Sequence, residues 1–207
     1  MEFIETIRLE NGIFHHLDLH QQRMERTIYE VFGRSTPVPD LKSALDNVTP
    51  IPDVGLYKCR LIYSREIKKV ELEVYVPRKV NSLKIVEGGS AIDYHLKNAD
   101  RSILVELASA KEDSDEVIIL RDGLITDTSY TNLLFRSNEG KLYTPSKPLL
   151  RGVMLQSLLN MSEAIEQDLT LADIKPGNPL GLTEAIMINS MMPLSVAPCI
   201  PIDHIHI

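Results

Sequence analysis

No tryptophan occurs in this chain of 207 residues, and aromatic residues make up only 5% of it. The core must therefore be built from Leu, Ile, Val and Met, in one large domain or two small ones. Only two cysteines are present, Cys59 and Cys199. Their spacing suggests neither a disulfide framework nor a metal site. Cys59 alternates with Tyr57 and Leu61 and reads as a small buried strand residue. No apolar run approaches the ~20 residues that span a bilayer. The opening Met-Glu-Phe-Ile-Glu lacks the basic region and apolar run of a signal peptide. A reducing, cytoplasmic setting is the expectation. Positive charge is also scarce: the net charge is −7, and the basic pairs Lys68-Lys69 and Arg78-Lys79 are short and scattered. Nucleic acid and anionic membrane surfaces are thereby disfavoured as partners.

What is present is ordinary for a globular protein, with 43% hydrophobic and 25% charged residues. Glu5 to Glu10 alternates and leads into Asn11-Gly12, the strongest short hairpin signal because both residues tolerate positive φ. Leu17 to Phe32 carries Met24, Ile28, Val31 and Phe32 at helical spacing, and Gly33 is placed to end that helix. Residues 34–53 are proline-rich and read as loop, with one short helix near 41–48. Leu56 to Tyr63 and Val70 to Val76 predict a second hairpin, with Val70, Leu72, Val74 and Val76 on one face. The polar, proline-led stretch 77–83 reads as a domain connector, giving domains over 1–80 and 84–207. Beyond it the pattern predicts strands at 84–86, 116–120, 124–126, 132–136, 141–143, 185–190 and 194–199. Helices are predicted over about 98–110 and 152–165. The class is α+β.

Several separated stretches carry chemistry-bearing residues. Lys97, in Tyr94-His95-Leu96-Lys97-Asn98-Ala99-Asp100-Arg101, precedes a helix pattern, where a partly desolvated lysine can serve as a nucleophile. It also fits an ordinary surface lysine. Asp127, in Thr126-Asp127-Thr128-Ser129, suits either a turn cap or a carboxylate facing a cofactor ring nitrogen. Leu150-Arg151-Gly152-Val153-Met154 opens a helix, whose free N–H groups suit a phosphate. Asn189-Ser190-Met191-Met192-Pro193 ends an apolar strand with two side chains able to bind phosphate. Arg60, inside a strand-like run, fits a solvated face or a charge-assisted phosphate contact.

Taken together and in order, these stretches resemble the class IV aminotransferase family, the fold-type IV pyridoxal-phosphate enzymes. Phe3-Ile4-Glu5-Thr6-Ile7-Arg8 before Asn11-Gly12, and Leu19-His20 through Arg23-Met24, are similar to the family's opening. The resemblance covers nearly the whole chain. It implies a small α/β N-terminal domain, a larger β-barrel-like C-terminal domain and a homodimer. It implies that Lys97 holds pyridoxal 5′-phosphate and that Arg60 contacts the phosphate. Gly152, Val153 and Met154 would offer backbone N–H groups, and Asn189 and Ser190 would complete the phosphate cup. Asp127 would face the pyridine nitrogen, where the family usually has Glu. The strand that usually precedes the Glu-Thr-x-Arg stretch is missing.

The substrate expected from this resemblance is a small-molecule amine or amino acid. Lys97 would act as the general base, with Thr6 near the substrate amine. Arg101, Tyr94, His95 and Arg151 are candidates for binding its carboxylate. The Asn-Ser-Met-Met-Pro stretch resembles the 4-amino-4-deoxychorismate lyase branch, whose reaction gives 4-aminobenzoate and pyruvate. A branched-chain or D-amino-acid aminotransferase is the alternative, and a non-catalytic dimer of the same family a third.

Overall fold

The computed structural model describes every residue except Thr49, which falls in the loop expected over 34–53. The chain divides into two compact units, residues 1–77 with 96–100, and residues 78–95 with 101–207.

In the first unit, β1 (Phe3–Glu10) turns through Asn11 (φ 49°) and Gly12 (φ 80°) into the short β2 (Ile13–Phe14). These left-handed dihedrals are what Asn-Gly supplies at low steric cost. Next come α1 (Leu17–Phe32), α2 (Leu41–Asp46), β3 (Leu56–Tyr63) and β4 (Ile67–Val74). The antiparallel sheet runs β2-β1-β3-β4. Helix α1 ends where expected: Gly33 takes φ 92° and donates its N–H to the Tyr29 carbonyl. Asp40 caps α2 by accepting the Ser43 N–H at 2.7 Å.

Met24 and Ile28 of α1 pack on Phe3, Ile7, Cys59, Leu61 and Tyr63 of the sheet. Each such fully buried aliphatic side chain contributes roughly 1.5–3 kcal/mol. Strand β4 departs from the expected apolar face. Val70 and Leu72 join this core, but Val74 and Val76 are 69% and 77% exposed. The outer strand β4 ends at Val74, and Val76 lies beyond it.

The second unit contains β5 (Leu83–Glu87), α3 (Ser102–Ser109), β6 (Glu116–Arg121), β7 (Leu124–Ile125), β8 (Asn132–Ser137), β9 (Leu142–Pro145), α4 (Val153–Asn160), β10 (Ile165–Gln167), β11 (Leu182–Ile188), β12 (Cys199–Pro201) and β13 (Ile205–His206). One sheet is ordered β13-β5-β6-β7, the other β10-β9-β8-β11-β12. Alternate residues of the two sheets meet in a shared core: Leu83, Ile85, Ile118 and Leu120 from one, Leu133, Phe135, Ala185 and Met187 from the other. The outward residues Val117 and Ile119 of β6 pack on Leu104 of α3. Leu134, Ile186 and Ile188 pack on Met154, Leu155 and Leu158 of α4. The whole is α+β, as the sequence predicts.

Several boundaries differ from the sequence reading. The helix expected from residue 98 starts at Ser102, because Ala99 donates its N–H to the Glu2 carbonyl just ahead of β1 and Asn98 donates its N–H to the Leu96 carbonyl. The helix expected to reach 165 stops at Asn160. Ser162 enters the left-handed region (φ 58°), and Glu163 N–H bonds back to the Leu158 carbonyl, a Schellman closure. No strand forms over 194–198. Pro193 and Pro198 bracket a turn there, closed by Val196 N–H on the Pro193 carbonyl.

Candidate active site

Lys97 belongs to a short segment docked on the edge of β1. Ile4 N–H donates to the Lys97 carbonyl at 2.9 Å, Ala99 N–H donates to the Glu2 carbonyl at 2.9 Å, and Phe3 bridges Asn98. The lysine is half-buried. Thr6 and Arg60 pair directly across β1 and β3. Both are half-buried and alternate with the residues that pack on α1, so they occupy the opposite face of the sheet. Glu71 stands opposite Arg60 on β4. The Arg60 guanidinium forms no ion pair with the described residues. The first unit thus carries Lys97, Thr6 and Arg60.

The second unit carries the remaining expected residues. Asp127 sits between β7 and β8 and is buried. Its Oδ1 accepts from Asn132 Nδ2 at 2.8 Å and its Oδ2 from Leu150 N–H at 2.9 Å. Burial raises its carboxyl pKa to about 7, and the hydrogen bonds from Leu150 and Asn132 offset only part of that rise. It has no ion pair among the described residues. The turn-cap alternative falls to its neighbour: Thr128 Oγ1 accepts Thr131 N–H at 2.9 Å, so the hydroxyl holds the turn. The Asp127 carboxylate is left aimed at the α4 entry.

Asn132 is the site residue that sequence reasoning left without a role. Its Nδ2 also donates to the Leu150 carbonyl at 2.7 Å, and its Oδ1 accepts Gly152 N–H at 3.2 Å. One carboxamide therefore ties Asp127 to the α4 N-terminus. A Cβ on Gly152 would lie 2.2 Å from Asn132 Oδ1, so glycine is required for this approach. The signal was a polar amide opening a buried apolar strand, a position where an unpaired amide is costly. Gly152 provides no side-chain cap. The first amides of α4, Val153 and Met154, lack intrahelical acceptors and lie at the positive end of the helix dipole.

Asn189 is occupied otherwise than expected. Its Oδ1 accepts the N–H groups of Met191 (2.8 Å) and Met192 (3.0 Å), so the carboxamide builds the turn. Ser190 is the half-buried hydroxyl on that turn. Among the carboxylate-binding candidates, Arg151 pairs with Glu166 at 2.5 Å and His95 with Asp93 at 2.5 Å, both on the surface. Arg101 donates to the Ser129 carbonyl at 2.8 Å and braces the Asp127 loop. Tyr94 is buried in the α3 core. No cluster of three or more metal-ligating side chains occurs among the described residues, and no described helix is long and apolar enough to cross a membrane.

A buried carboxylate with no ion pair among the described residues, beside a helix N-terminus with amides that lack intrahelical acceptors, suits a small group that is cationic at one end and anionic at the other. The amino-transferase class IV family model matches residues 2–199, and the chain belongs to this family. An uncharacterized protein of Haemophilus influenzae is 32% identical over 188 residues, covering 90% of this chain and 96% of its own. A candidate 4-amino-4-deoxychorismate lyase from Haemophilus somnus is 32% identical, with a TM-score of 0.85 over 93% of this chain and 97% of that one. A hypothetical aminotransferase of Mycobacterium tuberculosis in its PLP-bound form shares the fold, with a TM-score of 0.74 at 18% identity, covering 96% of this chain and 80% of that one.

Proposed function

We propose that this chain is a pyridoxal-phosphate enzyme that converts 4-amino-4-deoxychorismate to 4-aminobenzoate and pyruvate. The observation that carries the cofactor reading is Asp127, a buried carboxylate that forms no ion pair among the described residues and feels only the weak pull of Arg121. A protonated pyridine nitrogen would supply a cationic partner. Asp is one methylene shorter than the family's usual Glu, and the Asn132 and Leu150 hydrogen bonds hold it in place. The phosphate would take the free amides of Val153 and Met154, the Ser190 hydroxyl and the Arg60 guanidinium, a charge-assisted contact. Asn189 would contribute by shaping the turn that presents Ser190. When bound, the cofactor supplies an electron sink for a carbanion next to the substrate nitrogen.

The chain's own contribution is proton handling. Lys97 Nζ would take the proton from the amine-bearing ring carbon. The electron pair left behind expels the enolpyruvyl oxygen from the adjacent carbon, and the ring becomes aromatic. The departing enol regains a proton and leaves as pyruvate. Substrate and products balance without a further reactant. Thr6, on the same sheet face as Arg60, would hold the substrate amine. The likeness to the Haemophilus somnus protein, 32% identical over nearly its whole length, favours the lyase over an aminotransferase.

The test is direct. Protein loaded with pyridoxal phosphate should be yellow, absorbing at ~410–430 nm, and Lys97→Ala should abolish that band. Loaded enzyme given 4-amino-4-deoxychorismate should release 4-aminobenzoate and pyruvate in equal amounts. A colourless protein that takes up no cofactor would defeat the enzyme reading. Amino transfer to a keto acid without cleavage would replace the lyase with a transaminase.

A further inference from the structure

Beneath β1 lies a charged cluster that the proposed chemistry does not use. Glu5 alternates with Phe3 and Ile7 on the face that meets α1, and it is fully buried there, as is His20. Glu5 Oε1 accepts from Arg23 Nε at 3.0 Å. Its Oε2 accepts from Arg23 Nη2 and meets His20 Nδ1 at 2.5 Å. Two residues one helical turn apart thus converge on a single carboxylate.

This arrangement fixes the imidazole tautomer. Burial opposes ionisation of Glu5, but the Arg23 charge and the hydrogen bonds from His20 and Arg23 outweigh it and hold the pKa at about 2. An ionised carboxylate only accepts, so the proton in the 2.5 Å contact sits on Nδ1. Burial also keeps the His20 pKa below its usual value. The Glu5 hydrogen bond opposes that shift, while the charges of Arg23 and Lys97 reinforce it. At neutral pH the ring is therefore uncharged, and Nε2 is a bare acceptor. That atom is buried and has no hydrogen-bond partner among the described residues. An unmet buried acceptor is costly, on the order of 1–3 kcal/mol, which a purely structural cluster has no reason to retain.

Lys97 is held close by. Its carbonyl is bonded to Ile4, the residue next to Glu5 on β1, and its charge acts on His20. We propose that His20 Nε2 is the acceptor that holds the Lys97 ammonium through one bridging water whenever cofactor or substrate does not engage the amine. Glu5 fixes the tautomer and Arg23 fixes Glu5, so His20 is a positioning residue for the lysine. The charged and titratable groups acting on the cluster are Glu5 of β1, Arg23 of α1, Tyr63 of β3 and Lys97 itself. The inference rests on Lys97 being the working lysine, but its test needs no cofactor.

The measurement is the titration of Lys97 in cofactor-free protein, followed by the NMR shift of its ε-carbon and assigned with Lys97→Arg. His20→Asn keeps a donor for Glu5 at the Nδ1 position and removes the Nε2 acceptor. Its Lys97 pKa should fall by ~0.5 or more, a roughly threefold larger neutral fraction at neutral pH. Arg23→Lys keeps the charge while loosening the clamp, and should leave the Lys97 titration unmoved. A His20→Asn titration identical to wild type would overturn the proposal. So would an Arg23→Lys shift as large as that of His20→Asn, because the clamp alone would then set the lysine. Should His20→Asn not fold, the wild-type His20 Nε2 nitrogen shift decides: it should change in Lys97→Met, and no change overturns the proposal. A protein that shows these shifts yet binds no pyridoxal phosphate would keep the positioning role and lose the cofactor reading.

Discussion

Asp127 sets up a pH dependence that runs opposite to that of an ion-paired carboxylate such as Glu5. Its pKa rises from 3.8 to about 7 on folding, through burial. The folded state therefore binds more protons than the unfolded state between those values, and stability must fall as pH rises through that window. The shift is about three units, so the full effect is about 4 kcal/mol, of which about 2 to 3 kcal/mol appears between about pH 5 and pH 7.5. The assay is urea unfolding of cofactor-free protein across that range, with Asp127→Asn alongside. Asn cannot ionise, and the wild-type-minus-variant difference cancels every other titrating group. Asn also turns an NH2 towards one of the two donors that Asp127 accepts from. That offsets the variant by a roughly constant amount on the order of 1–3 kcal/mol, without changing the slope. The difference should decline by about 2 to 3 kcal/mol from low to high pH, and saturating cofactor should flatten it by placing a cation against the carboxylate. A difference that stays level from about pH 5 to 7.5 in cofactor-free protein would show that Asp127 ionises normally, and the reasoning from burial would be refuted.

Three further outcomes follow from the same geometry. Gly152→Ala puts a Cβ 2.2 Å from Asn132 Oδ1; it should lower stability by about 1–3 kcal/mol and weaken pyridoxal-phosphate affinity, as read by unfolding and by titration. Arg23→Met leaves Glu5 buried with much of its compensation gone and should cost about 3–5 kcal/mol in the same unfolding assay. Glu5, whose pKa drops from 4.5 to about 2, contributes about 3 kcal/mol above pH 4.5 that is lost as pH falls towards 2; acid unfolding monitored by circular dichroism should shift to lower slope in Glu5→Gln.

How much could be read beforehand depended on the range of the interaction. The Asn11-Gly12 turn, α1 with its Gly33 stop, and the β3–β4 hairpin are written locally. Alternation, helical spacing and left-handed turn residues specify them within a few neighbours. The order of Lys97, Asp127, the Gly152 helix start and the Asn189-Ser190 turn was likewise enough to identify the family, because that order is a property of the chain itself. Yet each of those residues was compatible with a bland role as well. The carboxylate of Asp127 looks like a turn cap in sequence, and only the fold showed that Thr128 caps the turn instead.

Tertiary structure decided the rest, since burial and partnership depend on residues far apart in the chain. Asp127 is held by Leu150, 23 positions away, and by an Asn132 that also anchors Gly152. The Lys97 segment lies against β1, more than 90 residues earlier in sequence, and that docking shortened the helix expected to follow it. Glu5, His20 and Arg23 read singly as a strand acid and two helix polar residues; only the packing of α1 on the sheet made them a dry cluster with a bare imidazole nitrogen. The sequence alone determined which elements form and which family they belong to, through local periodicity and motif order. Which polar groups are dehydrated, and therefore which are able to do chemistry, was decided by contacts that no local pattern encodes.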